Sequence, residues 1–418
     1  MGEYHIIGGR RLCGEVVIGG SKNAALPILA AAALGRRSVI HNCPKISDVE
    51  CTLEILEILG CDVSYDGRTV VVDARGMASH ALPKEQMTKM RSSMLFTGAL
   101  LSRFGQFSAH NPGGCELGKR PINLHLNAFR SLGAKVTEGE QEFFATADRL
   151  EGCKICLDFP SVGATQNIML AATLTQGVTT IKNAAKEPEI IDLQNFLVAA
   201  GAKVTGAGTG TVVIEGVDEL RDVEYSVMPD RIVAGTYLAA AAITRGSVRL
   251  KNVVHGDIRP IFEKFSEMGA AVTLEEGAIC LAAPDRLKGL GYLATNPHPA
   301  FPTDMQPQIM ALLATARGNC TIDEAVFESR DKHVSELVKM GAQIENCNGS
   351  IFHIEGVAQL HGATVYAKDL RGGAALILAG LAAQGKTVVK DAVYVERGYE
   401  AMHNDLQALG ADIKFISS

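Results

Sequence analysis

The sequence predicts an α/β protein assembled from six copies of one unit and divided into two three-unit domains. Three observations carry that prediction. A helix ending in glycine and followed by a β-type segment recurs as "ILGCDV", "SLGAKV", "AAGAKV", "EMGAAV", "KMGAQI" and "ALGADI". Its glycines, Gly60, Gly133, Gly201, Gly269, Gly341 and Gly410, stand 73, 68, 68, 72 and 69 residues apart. A period of about 70 residues kept six times is an internal repeat. In step with it runs an Ala/Leu-rich segment closed by glycine: "PILAAAALGRRSVIHN", "MLFTGALLSRFGQFSAHN", "NIMLAATLTQGVTTIKN", "TYLAAAAITRGSVRLKN", "QIMALLATARGNCTIDE" and "LILAGLAAQGKTVVKD". Finally, 418 residues are too many for one ordinary core, and two domains of roughly 200 residues are expected.

The elements follow in chain order. The chain opens on "EYHIIGGRRLCGEVVIGG", a strand pair with no helix before it. Each unit then runs buried helix, strand, amphipathic helix and strand pair, the pair being typified by "AKVTGAGTGTVVIEG". The Ala/Leu helices are apolar almost all round and should be buried, with the glycine after each as its C-cap. The last unit stops at "ALGADIKFISS", lacking its second strand. The two ends of the chain should therefore complete one unit together. That places one domain at residues 22–229 and the other at 1–21 with 230–418, joined by two crossings, with a cleft between them as the expected site.

Composition narrows the function. Hydrophobic residues make up 47% and charged residues 21%, as in a globular protein, and apolar runs break before about 18 residues, too short to span a membrane. The N-terminal stretch has no signal core, so a cytoplasmic protein is expected. A net charge of −6 with no basic run and no Trp argues against a nucleic-acid surface. Ten cysteines without a repeating spacing read as reduced thiols. Cys153 and Cys156 lie on a strand-like segment that puts them on opposite faces. The dispersed histidines offer no metal site, and no cofactor is expected. Oligomeric state is left open.

The starts of the buried helices carry the chemistry. They read "SKNAA" (Lys22, Asn23), "KMRSS" (Arg91), "PSVGAT" (Ser161, Val162, Gly163), "MPDRIV" (Asp230, Arg231), "PTDMQ" (Asp304) and "DLRGGA" (Asp369, Arg371). A helix N-terminus favours an anion by roughly 0.3–1 kcal/mol, and about 2 when partly buried. Cations placed against that dipole make sense if an anion sits on both, whereas Ser161, Asp230 and Asp304 could simply be N-caps. Further cations lie in loops: Arg120, Arg330 in "VFESRDKH" and Arg397 in "YVERGYE". Together they describe a ligand with several phosphate or carboxylate groups. His125, in "PINLHL", reads equally as ligand contact or as structural histidine. In "NPGGCELGKR" the thiol of Cys115 follows Pro112, Gly113 and Gly114 and precedes Lys119 and Arg120. Such a pliable loop beside positive charge suits a reactive thiol better than a packed one.

With "GGSKNAALPILAAAAL", "NPGGCELGKRPINLHL", "PSVGATQNIMLAAT", "NAAKEPEIIDLQNFL", "MPDRIVAGT", "PHPAFPTDMQPQ", "VFESR", "DLRGGAAL" and "ERGYE" in order, the chain resembles the UDP-N-acetylglucosamine enolpyruvyl transferases over essentially its whole length. The resemblance implies an inside-out α/β barrel of six units. It also implies transfer of the enolpyruvyl group of phosphoenolpyruvate to the 3′-hydroxyl of UDP-N-acetylglucosamine, the committing step of peptidoglycan precursor synthesis. Those two small molecules are then its partners.

By the same resemblance, Lys22, Asn23, Arg120, Arg330, Arg371 and Arg397 surround phosphoenolpyruvate. The nucleotide sugar falls to Arg91, Arg120, Pro121, Ile122, Asn123, Leu124, Ser161, Val162, Gly163, Asp304 and Val326. Catalysis falls to Cys115, Asp304, Lys22 and Arg397, with Asp304 as base and Cys115 as proton carrier or nucleophile, the residue through which fosfomycin inactivates this family. The pattern departs at Asn123, where Asp is usual, at Val233, where Glu is usual, and at Gly372–Gly373, where Ala-Ser or Ala-Gly is common. Two rival readings are the shikimate-pathway enolpyruvyl transferase, which shares fold and donor, and a UDP-sugar-binding regulator without turnover.

Overall fold

The structure is a computed structural model, and it describes residues 2–113 and 122–417. The chain divides into two compact units. One comprises residues 20–113 with 122–228, the other residues 2–19 with 229–417, and each has its own hydrophobic core. Among the described residues no helix is long and apolar enough to cross a membrane.

At the centre of the first unit run the helices Lys22–Ala32, Leu95–Phe104 and Val162–Ala172. In the second unit the same place is taken by Arg231–Ile243, Gln306–Leu313 and Leu370–Ala382. All six are buried along nearly their whole length, as their all-round apolar sequences require. Gly98 lets two of them touch: a Cβ there would lie 2.3 Å from the backbone oxygen of Asn167.

Five of the six sheets have four strands in a common pattern. The strand after the buried helix pairs antiparallel with a two-stranded antiparallel ribbon on one side, a hairpin in four of these sheets, and parallel with an edge strand on the other. In the first sheet these are Arg37–His41, the hairpin Asp62–Tyr65 and Val70–Asp73, and the edge strand Val223–Ser226. That edge strand belongs to the end of the third repeat, so the unit closes on its first repeat. In the sheet around Gln106–His110 the parallel partner is reduced to a single bridge, Ala81 to Ser108.

Two sequence expectations are corrected here. The opening strands do not pair with each other. Glu3–Ile7 lies between Lys386–Lys390 and Asp412–Ile416, completing the last unit, while Cys13–Val17 leaves to run parallel with Ser247–Lys251. It is the edge strand of the next repeat, an element that the reading of hairpins alone overlooked. The glycines after the buried helices are not uniformly C-caps either. Gly105 is one, at φ 68°, but at the fourth helix Arg245 takes φ 60° instead. Gly246 is needed for space, since a Cβ would lie 2.0 Å from the Leu12 carbonyl oxygen.

The other glycine series is regular. All six residues lie at φ between 92° and 100°. Each closes a Schellman motif, as where Cys61 N–H donates to Leu56 O and Gly60 N–H to Glu57 O, both at 2.9 Å.

Candidate active site

In the unit of residues 20–228 most of the residues expected in the site stand at or just before the N-terminal ends of the three buried helices. Lys22 opens the first. Its ammonium lies 2.7 Å from the carboxylate of Asp48, on the helix Ser47–Ile58, and both side chains are about nine-tenths buried. Asn23 and Arg91 are half-buried, Arg91 on the 3-10 turn Arg91–Met94. Ser161 caps the third helix, accepting from Ala164 N–H at 3.3 Å, and Val162 and Gly163 form its first turn. Ile122 and Leu124 are half-buried, whereas Asn123 is exposed at the first position of the helix Asn123–Ser131.

His125 is buried beside Gly163, and its Nδ1 accepts from Asn167 Nδ2 at 2.9 Å. Asn167 Nδ2 shares its second N–H between Met94 O and Thr97 Oγ1, both at 3.0 Å, and its Oδ1 accepts from Gly98 N–H at 2.8 Å. An accepting Nδ1 puts the ring proton of the neutral imidazole on Nε2. This tie gives His125 a structural anchor. Cys115, Lys119, Arg120 and Pro121 lie outside the described residues.

The second unit holds a denser cluster. Asp230 and Asp369 are N-caps: Asp230 accepts from Ile232 and Val233 N–H at 2.8 and 2.9 Å, Asp369 from Arg371 and Gly372 N–H at 3.0 and 2.8 Å. Asp304 behaves differently from the N-cap its sequence position allowed. It sits in the 3-10 turn Thr303–Met305, with Arg330 Nη2 3.0 Å from its Oδ1 and Arg371 Nη2 3.2 Å from its Oδ2. Arg330 and Arg371 are only 4% and 3% exposed. Arg330 also donates to Thr303 Oγ1 at 2.7 Å. The Thr303 hydroxyl donates to Glu324, whose Oε1 accepts from Val326 and Phe327 N–H at 3.1 Å. Glu324 thus shapes the turn that presents Val326. Arg397 is half-buried on the turn of residues 395–398.

Burial works against the charge on Arg371, and Tyr399, Asp304 and Asp230 more than offset it, so the guanidinium stays protonated. Burial pushes the imidazole of His333 below its ordinary range, and neither ring nitrogen has a hydrogen-bond partner among the described residues. Sequence reading missed Asp48, Glu324, His333 and Tyr399. Of these, Glu324, His333 and Tyr399 lay inside quoted segments, but at the end of a strand-like stretch, among dispersed histidines and as an aromatic residue in "ERGYE" they read as structural. The Gly372–Gly373 departure has a local cause. A Cβ on Gly372 would come within 2.7 Å of Asp369 Oδ2, and one on Gly373 within 2.6 Å of Val395 Cγ2. Among the described residues no group of His, Cys, Asp and Glu could hold a metal ion.

Comparison with known proteins agrees with this arrangement. The EPSP synthase (3-phosphoshikimate 1-carboxyvinyltransferase) family model matches residues 6–406. UDP-N-acetylglucosamine 1-carboxyvinyltransferase 2 of Caldanaerobacter subterraneus is 49% identical over 414 residues, 99% of each chain. The enolpyruvyl transferase NikO of Streptomyces tendae superposes with a TM-score of 0.89 at 28% identity, covering 100% of this chain and 99% of its own. EPSP synthase of Acinetobacter baumannii superposes over 100% of both chains with a TM-score of 0.78, but at 21% identity it shares the fold alone. The architecture is accordingly the inside-out α/β barrel of the enolpyruvyl transferases. Near-half identity along the whole length, against one-fifth to an EPSP synthase, decides between the two branches: the chain belongs to the UDP-N-acetylglucosamine 1-carboxyvinyltransferase family.

Proposed function

We propose that the protein transfers the enolpyruvyl group of phosphoenolpyruvate to the 3′-hydroxyl of UDP-N-acetylglucosamine, the committing step of peptidoglycan precursor synthesis. The sugar oxygen attacks C2 of the donor while C3 takes up a proton, giving a tetrahedral ketal. The C2–O bond to phosphate then breaks, phosphate leaves with the electron pair, and C3 returns its proton. Both substrates are soluble and charged, which suits a cytoplasmic enzyme.

The observation that carries this reading is the pair of buried guanidinium groups on Asp304. Arg330 and Arg371 each spend two of five N–H groups on described partners. The donors that remain suit a ligand with carboxylate and phosphate, each charge-assisted bond contributing about 1.5–3 kcal/mol. We assign them, with Lys22, Asn23, Arg120 and Arg397, to phosphoenolpyruvate. Some of these contacts must tighten as C2 gains positive character, since equal binding of ground and transition states would not speed the reaction. Asp304 is assigned as the base for the sugar hydroxyl. Both its oxygens hold a guanidinium, so it can act once an anion draws one away, and donor binding at Arg371 does this. Cys115 serves C3 as proton carrier. Arg91, Arg120 to Leu124, Ser161 to Gly163 and Val326 hold the nucleotide sugar.

Phosphate release from phosphoenolpyruvate tests the reading, with UDP-N-acetylglucosamine and shikimate 3-phosphate offered in parallel. Release with the first alone is expected. Release with the second alone, or with neither, overturns the proposal.

A further inference from the structure

We infer that Tyr399 is a positioning residue for Arg371, holding its guanidinium in the orientation that meets the donor's anionic group. The inference rests on the assignment of Arg371 to donor binding.

Tyr399 is 1% exposed. Its hydroxyl lies 2.9 Å from Thr236 Oγ1, 3.2 Å from Gln308 Nε2 and 3.2 Å from Arg371 Nη1, one group from each buried helix of its unit. The proton directions follow by elimination. Thr236 gives its hydroxyl proton to Ile232 O at 2.8 Å, so its oxygen can only accept. Gln308 Nε2 donates to Thr236 at 3.1 Å and to Tyr399, and Arg371 has no acceptor. The Tyr399 proton therefore goes to Thr236, and its two lone pairs take Gln308 and Arg371. Exchanging the Gln308 amide atoms would set an acceptor against the Thr236 oxygen. With proton and both lone pairs engaged, the phenol has nothing to offer a substrate.

What it does offer is an anchor of the right kind. Of the described hydrogen-bond partners, Asp304 alone would fix the buried Arg371 guanidinium at one atom, and that contact is the one a ligand anion displaces. Tyr399 supplies a second, with the guanidinium carbon 5.4 Å from its ring centre. A neutral hydroxyl orients the cation without neutralising it, whereas a second carboxylate would compete with the ligand for charge. Tyr399 also follows Arg397 by two residues, so the same phenol ties that arginine's turn to the helices.

The test is Tyr399→Phe in the full-length enzyme, assayed for phosphate release with phosphoenolpyruvate varied at saturating UDP-N-acetylglucosamine. Loss of orientation should lower kcat/KM for phosphoenolpyruvate by about 10- to 100-fold, with the calorimetric Kd for the UDP-sugar within about twofold of wild type. In an Arg371→Lys background the same change should cost less than about threefold, because the group it orients is gone. Wild-type kcat/KM with a lowered Tm, or a full additional loss in the Arg371→Lys background, overturns the inference. A wild type that releases no phosphate overturns the functional reading and this inference with it. Should Tyr399→Phe not fold, Thr236→Val removes the acceptor of the same phenol. A KM for phosphoenolpyruvate raised about threefold is then expected, and an unchanged one overturns the inference.

Discussion

Each unit sets a buried cation against a carboxylate at the N-terminal ends of its helices, and the two do so differently. Among the described residues, the unit of residues 20–228 pairs the ammonium of Lys22 with the carboxylate of Asp48. The other sets two guanidinium groups, Arg330 and Arg371, on the single carboxylate of Asp304. An ammonium held by a buried carboxylate keeps a point charge in place. A two-to-one set has cation and donor hydrogens to spare, and its carboxylate can be released without leaving the site uncharged. The comparison predicts that the first carboxylate serves stability and the second serves turnover.

The largest effect should separate them. Asp304→Ala should lower kcat by about 10³ while UDP-sugar affinity, spread over many contacts, changes far less. Equal losses in rate and affinity would make Asp304 a binding residue and break the contrast. Cys115 adds a third kind of charge control. Cys115→Asp should retain activity with its optimum moved to lower pH, because a carboxyl donates a proton only when protonated, and Cys115→Ser should be severely impaired. Fosfomycin should label the wild-type 111–120 peptide in mass spectrometry and leave the Asp variant unlabelled. An Asp variant dead at every pH, yet binding the UDP-sugar, would point to covalent attack by sulfur.

On the stability side, Asp48→Asn removes the carboxylate of a buried pair and should cost about 3 kcal/mol in urea unfolding. A loss below about 1 kcal/mol would put the pair in the class of surface bridges. A smaller, pH-dependent effect belongs to His333, which faces Asp369, Arg330 and Asp331. Its pKa is lowered in the folded protein, so below the ordinary value of 6.5 the unfolded chain binds more protons. The stability it contributes is complete above pH 6.5 and is lost as pH falls toward the lowered value. Thermal melts of His333→Asn should therefore be flatter than wild type between pH 6.5 and 5; parallel curves would count against the lowered value.

Much of this was legible along the chain because its causes are local. The six Schellman glycines need only their own turn, and the caps Ser161, Asp230 and Asp369 bond within three residues. The loop cations Arg330 and Arg397 stood out for being charged between apolar segments. Asp48, Glu324 and Tyr399 carried no such mark, since an acidic residue early in a helix, an acidic residue closing a strand and an aromatic residue in a motif have ordinary readings. The two opening strands looked like a hairpin because sequence neighbours usually pair, and only ring closure sends them to different sheets.

By itself, then, the sequence determined the repeat, the buried helices, the placing of charge at helix starts and the family, because backbone geometry and charge at helix starts are written within a few residues. Tertiary structure alone decided which charge meets which. Arg371 reaches Asp304 across 67 positions, and Tyr399 reaches Thr236 across 163. Such pairings depend on where closed rings of three repeats bring helix ends together, and once buried, a guanidinium or phenol must take whatever partner stands within about 3 Å.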